Sequence, residues 1–550
     1  MDSFRKDING LRAWAVVAVV LFHFGVPGFD GGFIGVDVFF VISGFLMTGI
    51  ILDKLATPPL SSATGNVKSF SIIGFYLARA RRILPALMAL CVALLMLGWF
   101  FLPALDYRML ATHVITALVF ISNIKFWREA GYFDAASHEK LLLHTWSLSV
   151  EWQFYLLFPV ALVILWKLWP NRRFIGIMLL AGFVTSLAIS VVMTRLTPAA
   201  AFYLLPTRAW EMLAGGLVYF YASQFRPSQG WAKLLEALGF GLILASIFLF
   251  DGTTPWPGWQ ALIPVLGTVL VLLAARSDSW LSGTAIAQWL GKTSYSIYLW
   301  HWPFSVALIY FGVQGEVLPV LVGLLLTLLF GWASWAYIEQ PARRGLMQFS
   351  KIPQIAVTGL LVFIIAAPAL AIRAQDGVAG RLDPRIDAIF AEVENKNPRI
   401  DECHSSGAKP VPGCTYGGDK LGAIVMGDSH ALSMVTSVAA ALPSKDLHVL
   451  EWSRSSCRTI KGLIQERRHG GLCGQHVAES IVRSSELEPN APLLIVDRIS
   501  SGLHGPNEST PTVAPTEYLS GPFEQRTDEF FAEMQDGMVE TACAFAEHRP

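Results

Sequence analysis

Charge is scarce in this chain. Only 15% of its 550 residues are Asp, Glu, Lys or Arg, 53% are apolar, and the mean hydropathy is +0.50. Soluble domains carry about a quarter charged residues, so a purely soluble protein is excluded. Cysteine is rare as well: there are six and no CxxC pair, so no zinc site is expected. No basic run interleaved with aromatics occurs in a soluble stretch, which argues against a nucleic-acid partner. Internal repeats and low-complexity tracts are also lacking.

The scarcity is uneven. Residues 1–375 hold 25 basic against 16 acidic side chains, whereas residues 376–550 hold 16 against 25. A basic, apolar front thus precedes an acidic, water-soluble back, and the length leaves room for more than one domain. A membrane-crossing helix needs about 20 mostly apolar residues. Eleven stretches qualify as candidates: 11–26, 33–52, 83–102, 146–169, 174–193, 209–221, 234–250, 259–275, 294–312, 317–338 and 354–372. A twelfth, 109–127, is interrupted by His113, Asn123 and Lys125 and reads as an amphipathic or re-entrant piece. With the N-terminus inside, this count puts 18 Lys and Arg on the inner face and 7 on the outer side and the broken stretch. That asymmetry obeys the positive-inside rule and leaves the acidic back outside. The first span lacks a small-residue cleavage site and reads as a retained signal anchor.

Five of the six cysteines lie in the back, where an outside compartment permits disulfides. The short-range pairs Cys403–Cys414 and Cys457–Cys473 are expected, although four cysteines allow three connectivities. Cys543 is left over, either as a free thiol or because the true end of the chain lies further on.

Ionisable groups at membrane depth mark function by default. Arg12 and His23 are eleven residues apart on the first span, about three turns and ~16 Å of rise, so both leave one face of the helix. Arg12 is expected near the inner surface, snorkelling to headgroups or serving the site. His23 is deeper, either a packed polar residue or a general base for an alcohol. Asp37 on the second span needs a partner, as a structural ion pair or as part of the chemistry. Ser43-Gly44, on the same span, allows close helix approach. Glu151 and Glu211 pose the same question with less support, and His301 beside Pro303 reads as part of a kink. Arg79, Arg81 and Arg82 precede the third span, either as a positive-inside cluster or as a clamp for a phosphate-bearing cytosolic ligand.

The front resembles the acyltransferase family 3 of membrane proteins, in its O-antigen acetylase group. The resemblance rests on Arg12 with His23, the run from Gly31 to Phe45, Arg79-x-x-Arg82, the run Trp146–Trp152, the run Ser294–Pro303 and Tyr337-Ile338-Glu339-Gln340-Pro341, over roughly residues 2–344. It implies transfer of an acyl group, commonly acetyl from acetyl-CoA, to a hydroxyl of a surface glycan such as lipopolysaccharide O-antigen. His23 would be base or acyl relay, Arg12 its support, Asp37 a further catalytic group, and Arg79 and Arg82 the binders of the coenzyme's phosphates. The setting it implies is the bacterial inner membrane, with the back of the chain in the periplasm and the glycan and bilayer as partners.

The back resembles an SGNH-type hydrolase domain. A buried strand at 421–426 is followed by Gly427-Asp428-Ser429-His430 and a helical run to Leu442. A Ser on a strand-to-helix turn is exposed, and the helix N-terminus favours a developing oxyanion. Ser429 is therefore the expected nucleophile, and 492–497 a second strand. The family's Asp-x-x-His is lacking in residues 376–550, which leaves His430, His448 and His504 as bases by residue type only. Either the domain is inactive or its last elements lie beyond residue 550.

The expected fold is a multi-span α-helical membrane domain of about ten core helices and one linking helix. An external α/β SGNH-hydrolase-like domain, incomplete at its C-terminus, follows it. The boundaries are 1–345 for the membrane domain, 346–410 for the eleventh helix and a linker with some helical character, and 411–550 for the external domain. Two other functions compete with acyl transfer. One is a transporter of glycan or lipid-linked intermediates with His23 and Asp37 as a proton relay. The other is an external esterase on a membrane anchor, for which eleven spans are far more than needed.

Overall fold

A computed structural model describes residues 5–56, 70–130, 139–222, 225, 227–392, 395–406, 410–465, 472–504 and 514–549. Lys68 and Arg226, two of the 18 basic residues assigned to the inner face, lie outside these residues. The chain divides into two compact units, Met1–Phe390 and Ala391–Pro550, so the second begins inside the stretch read as linker.

The first unit is helical: α1 (Lys6–His23), α2 (Gly35–Ala56), α3 (Ile72–Phe101), α4 (Ala104–Leu118), α5 (Ser122–Arg128), α6 (Thr145–Leu168), α7 (Arg172–Leu196) and α8 (Pro198–Tyr203). It continues with α9 (Leu205–Ala222), α10 (Gln229–Leu249), α11 (Leu262–Ala274), α12 (Ala285–Tyr310), α13 (Val317–Ser334), α14 (Gln340–Leu346), α15 (Lys351–Ala374) and α16 (Pro384–Ala391). All eleven candidate stretches fall on helices, and among the described residues seven helical segments are long and apolar enough to cross a membrane by length and composition. Large apolar side chains such as Leu157, Leu325 and Phe363 are exposed, as lipid-facing surface requires. The twelfth stretch breaks into α4 and α5 at Phe120, whose φ is +56°.

Helix direction supports leaving α4 and α5 out of the count. Phe40 meets Trp146 and Ser43 meets Glu151, so α2 and α6 run the same way. Lys351 reaches Ser71, and Leu361 lies with Met88, so α3 and α15 also run together. Asn9 abuts Gly291 and the His23 carbonyl accepts from Ser305 Oγ at 2.6 Å, so α1 and α12 are parallel too. A crossing between α3 and α6 would make every one of these pairs antiparallel.

The second unit contains α17 (Ile400–Cys403), β1 (Cys414–Gly417), β2 (Lys420–Gly427), α18 (Ser429–Ala441), β3 (Leu447–Ser453), β4 (Ile464–Gln465) and α19 (Leu472–Ser485). After these come β5 (Leu493–Val496), α20 (Ile499–Leu503), β6 (Glu517–Tyr518) and α21 (Asp528–Ala546). The main sheet has the order β1-β3-β2-β5, with β2 parallel to both neighbours and β1 antiparallel to β3. The connection after β2 leads to β3 on one side of it and the connection after β3 leads to β5 on the other, which makes the C-terminal end of β2 the switch point where α/β sheets place their sites. Disulfides join Cys403 to Cys414 and Cys457 to Cys473, while Cys91 and Cys543 are free.

Close helix contacts in the first unit depend on glycine. A Cβ on Gly44 would lie 1.7 Å from the Met212 carbonyl oxygen, so α2 and α9 meet backbone to backbone there. Gly44→Ala is expected to destabilise the detergent-solubilised protein by about 2–3 kcal/mol, read as a lowered thermal unfolding midpoint. Gly241→Ala, whose added carbon meets nothing within 4 Å, should leave that midpoint unchanged.

Candidate active site

Two of the cavities in the first unit are lined by ionisable side chains. The smaller, of about 80 Å³, is lined by Arg12, Arg79, Arg82, Glu151, Tyr155 and Tyr295 among others. The larger, of about 840 Å³, is lined by His23, Asp37, His144, Arg195, Arg208 and Trp302 among others. Val36 and Tyr298 line both. The wall between them is pinned by polar contacts: the Tyr298 hydroxyl donates to the His144 carbonyl at 2.9 Å and shares a 2.7 Å bond with Ser147 Oγ.

Three arginines against one glutamate give the smaller cavity a positive lining. Arg79 and Arg82 are one turn apart on α3, so their guanidiniums leave the same face. Glu151 accepts from Ser43 Oγ and from the Tyr155 hydroxyl, which holds it among the arginines. Glu339 accepts from Ser296 Oγ at 2.9 Å and is a charged neighbour of both Arg12 and Arg82. It sits in a π-helical turn, Trp335–Glu339, between α13 and α14. Bidentate donors without enough carboxylate to neutralise them are what a phosphate-bearing ligand needs. Arg12 therefore belongs with Arg79 and Arg82, and it lines a different cavity from His23.

Asp37 forms an ion pair with Arg208 at 3.1 Å, and Arg208 reaches Glu211 at 3.2 Å. All three are buried, and the guanidinium lies 5.4 Å and 5.6 Å from the Phe40 and Trp146 ring centroids. Asp37 thereby has the partner it needs while still facing the larger cavity.

His23 closes α1 and lines the larger cavity. Its Nδ1 lies 3.0 Å from His301 Nε2, and His301 Nδ1 donates to the Tyr298 carbonyl. His301, read from the sequence as part of a kink, also has its ring set against His23. Pro303 is indeed inside α12, but the parallel packing of α1 and α12 brings His301 onto His23. His144 is buried as well, and its ring lies 5.7 Å from that of His301. The residue escaped notice because it precedes the fourth apolar stretch by two positions, and so fell outside the set of intramembrane groups. Proximity of a second and third imidazole was the signal that only the helix packing reveals.

In the second unit Ser429 opens α18 at the end of β2. Asp428 caps that helix, accepting from the His430 amide and lying 2.8 Å from His430 Nδ1. Gly427 has φ +147°, and a Cβ there would come within 2.1 Å of the Val496 carbonyl, so β2 and β5 meet too closely for any side chain. No described histidine hydrogen-bonds Ser429. His430 is held by Asp428, His448 Nδ1 donates to the Gly418 carbonyl at the far end of β2, and His504 packs at a tilt against Phe531. The strands expected at 421–426 and 492–497 are β2 and β5, while β1, β3, β4 and β6 were not anticipated.

Residues 5–336 match the family described as an acyltransferase domain, and residues 402–549 match an SGNH domain fused to such acyltransferase domains. The chain is similar to O-acetyltransferase OatA of Staphylococcus aureus, with 28% identity over 403 residues, 69% of this chain and 64% of that protein. It thus spans less than two thirds of that relative's length. It is also similar to a protein of Komagataeibacter xylinus named "Putative membrane-bound transacylase BcsY", with 31% identity over 376 residues, 66% of this chain and 88% of that protein. No solved structure matches the chain.

Asp497 supplies a pH test in the second unit. It accepts from the Asp428 amide at 2.9 Å and the Thr459 amide at 2.7 Å. Burial, with help from the Asp428 carboxylate, pushes its carboxyl up to about 6. A raised carboxyl binds its proton more tightly when folded. Its stabilisation is therefore full below about pH 4 and is lost as pH rises through about 6. Rate-corrected hydrogen exchange of Lys420–Gly427 in the full chain should show protection falling across that window. Asp497→Asn should flatten the fall, and an equal slope in both proteins would refute the assignment.

Proposed function

We propose, from the premise that this chain belongs to the family of acyltransferase domains with a fused SGNH domain, that it is an integral-membrane O-acyltransferase. It moves an acyl group, acetyl in this reading, from cytoplasmic acetyl-CoA to a hydroxyl of a cell-surface glycan such as lipopolysaccharide O-antigen. The observation that carries the proposal is the pair of cavities separated by Val36 and Tyr298, one lined by three arginines and the other by His23.

In this reading Arg12, Arg79 and Arg82 hold the donor's phosphates at the inner side, and its thioester points toward the Tyr298 wall. His23 takes the proton of the acceptor hydroxyl as the oxygen attacks the thioester carbonyl. The carbon–sulfur bond breaks, and the proton passes to the departing thiolate. An acyl-imidazole on His23 is the two-step version of the same transfer, with the hydroxyl attacking second. The larger cavity suits the acceptor, because Trp302, Trp256 and Tyr203 offer flat apolar faces beside Arg195 and Asp251. An orientation with the second unit in the periplasm of a bacterial inner membrane is supported by its two disulfides and by the loop charges. Ser429 either receives the acyl group before the glycan does or only helps to place the glycan.

Two results test this. Mass spectrometry of surface glycan should find acetyl in cells carrying the parent protein and none with His23→Ala at equal membrane level. Equal acetylation would remove His23 from the chemistry. In purified protein, Arg79→Ala and Arg82→Ala should each raise the KM for acetyl-CoA about tenfold or more, as expected for a lost charge-assisted contact. An unchanged KM would remove the clamp, and an absence of any acetyl-CoA turnover by the parent would favour the transporter reading.

A further inference from the structure

Imidazole hydrogen bonds fix which nitrogen carries the proton, and the bonds around His23 form an ordered chain. A carbonyl oxygen only accepts, so the bond from His301 Nδ1 to the Tyr298 carbonyl requires a hydrogen on Nδ1. The His301 ring is fully buried, and no described carboxylate hydrogen-bonds it, so a neutral ring is the form its surroundings favour. A neutral imidazole with hydrogen on Nδ1 offers a lone pair at Nε2. His23 Nδ1, 3.0 Å away, must then be the donor, with its own hydrogen on Nδ1. That leaves His23 Nε2 unprotonated on the wall of the larger cavity.

We infer that His301 is a positioning residue, which holds His23 in the tautomer whose Nε2 is the free base. The inference rests on the reading of His23 as the base that activates the acceptor hydroxyl. Two features hold His301 in this role. The Tyr298 carbonyl has a second lone pair beyond the one its helix uses, and it anchors the ring through Nδ1. The His23 backbone is tied to the same helix by Ser305, so the two rings keep their offset. Ring stacking, with centroids 5.1 Å apart, and the edge contact of His23 with Trp302 at 4.7 Å leave the imidazole little freedom to flip.

The proton accounting closes. His23 Nε2 accepts the hydroxyl proton as the carbon–oxygen bond forms and returns it to the thiolate as the carbon–sulfur bond breaks. His23 keeps its Nδ1 hydrogen throughout. The bond to His301 Nε2 becomes charge-assisted while His23 is an imidazolium, which favours the transition state over the ground state. The opposite tautomer would present an N–H to the hydroxyl and could not take its proton. The work that a carboxylate does behind the histidine of a serine-hydrolase triad falls here to a second, neutral imidazole.

The test compares His301→Gln with His301→Met in the full-length protein, with acetyl-CoA as donor and thiol release as readout. The two side chains have similar reach, but only Gln places an oxygen acceptor where His301 Nε2 stands. His301→Met is expected to lower kcat about 100-fold, at the lower end of what a misplaced general base loses. The KM for acetyl-CoA should stay within about twofold, because the arginine cavity is untouched. His301→Gln should recover at least tenfold of the lost kcat. Equal kcat in the two variants, whether near the parent or far below it, would overturn the positioning role. A variant that fails to fold shows as a shifted elution volume, and His301→Asn then replaces it, with its acceptor too short to reach His23 and the loss of the Met variant expected. His23→Ala separates this from the underlying reading. If it stays active, the base assignment fails and the inference with it. If it is inactive while His301→Met turns over normally, only the inference fails.

Discussion

Arg208 carries the constraint on which the first unit depends. It is the fourth residue of α9, fully buried, in a chain with little charge to spare. Such a cation is tolerated only with partners close by, and it has Asp37 from α2 and Glu211 from its own α9 at ion-pair distance. Removing one member of such a group leaves an uncompensated buried charge, at a cost of about 3–5 kcal/mol. The pairing obliges α2 and α9 to approach closely, and the small residues Gly44 and Gly215 make that approach possible. Phe40 and Trp146 then close over the guanidinium and draw α6 against α2. With these helices in place, the walls of both cavities follow.

The division into two cavities has a chemical consequence. A donor with phosphates and an acceptor with hydroxyls need opposite surroundings, the first rich in cations and the second able to accept protons. One cavity holding both would let the arginines compete for any nucleophile or carboxylate near His23. Placing Arg12 three turns below His23 on one helix keeps the functions apart while fixing their distance at ~16 Å. The Tyr298 hydroxyl in that wall is held by a carbonyl and a serine hydroxyl, neutral hydrogen bonds worth about 1 kcal/mol each.

What could be read from residues alone was local. Apolar stretches were legible because hydropathy is additive along the chain, and all eleven are helices. The strand–turn–helix around Ser429 was legible because a buried strand, a tight Gly427 and an Asp cap are contiguous. Both disulfides were legible because they close short loops. The neighbours of Arg12, by contrast, come from α3, α6 and the turn before α14, and no spacing rule joins them. His301 looked like a kink residue because Pro303 was visible at once, whereas its partner His23 lies 278 positions away. Strands β3 and β5 flank β2 only through long crossovers, and short strands such as β4 carry too few residues to show alternation.

The two candidate reacting groups differ in how completely they are supported. Ser429 has the favourable helix terminus and the tight turn, but a serine hydroxyl is a weak nucleophile until a base takes its proton. No described histidine does so, and adjacent residues on a helix such as His430 point away from one another. On the proposed reading, His23 needs no activation beyond its tautomer, which the Tyr298 carbonyl and His301 supply. The charges needed to hold an activated acyl donor also lie in the first unit. Acyl transfer on the proposed reading begins there with the described residues, whereas transfer through Ser429 requires a base beyond the described histidines. On that reading, His23 therefore acts before Ser429.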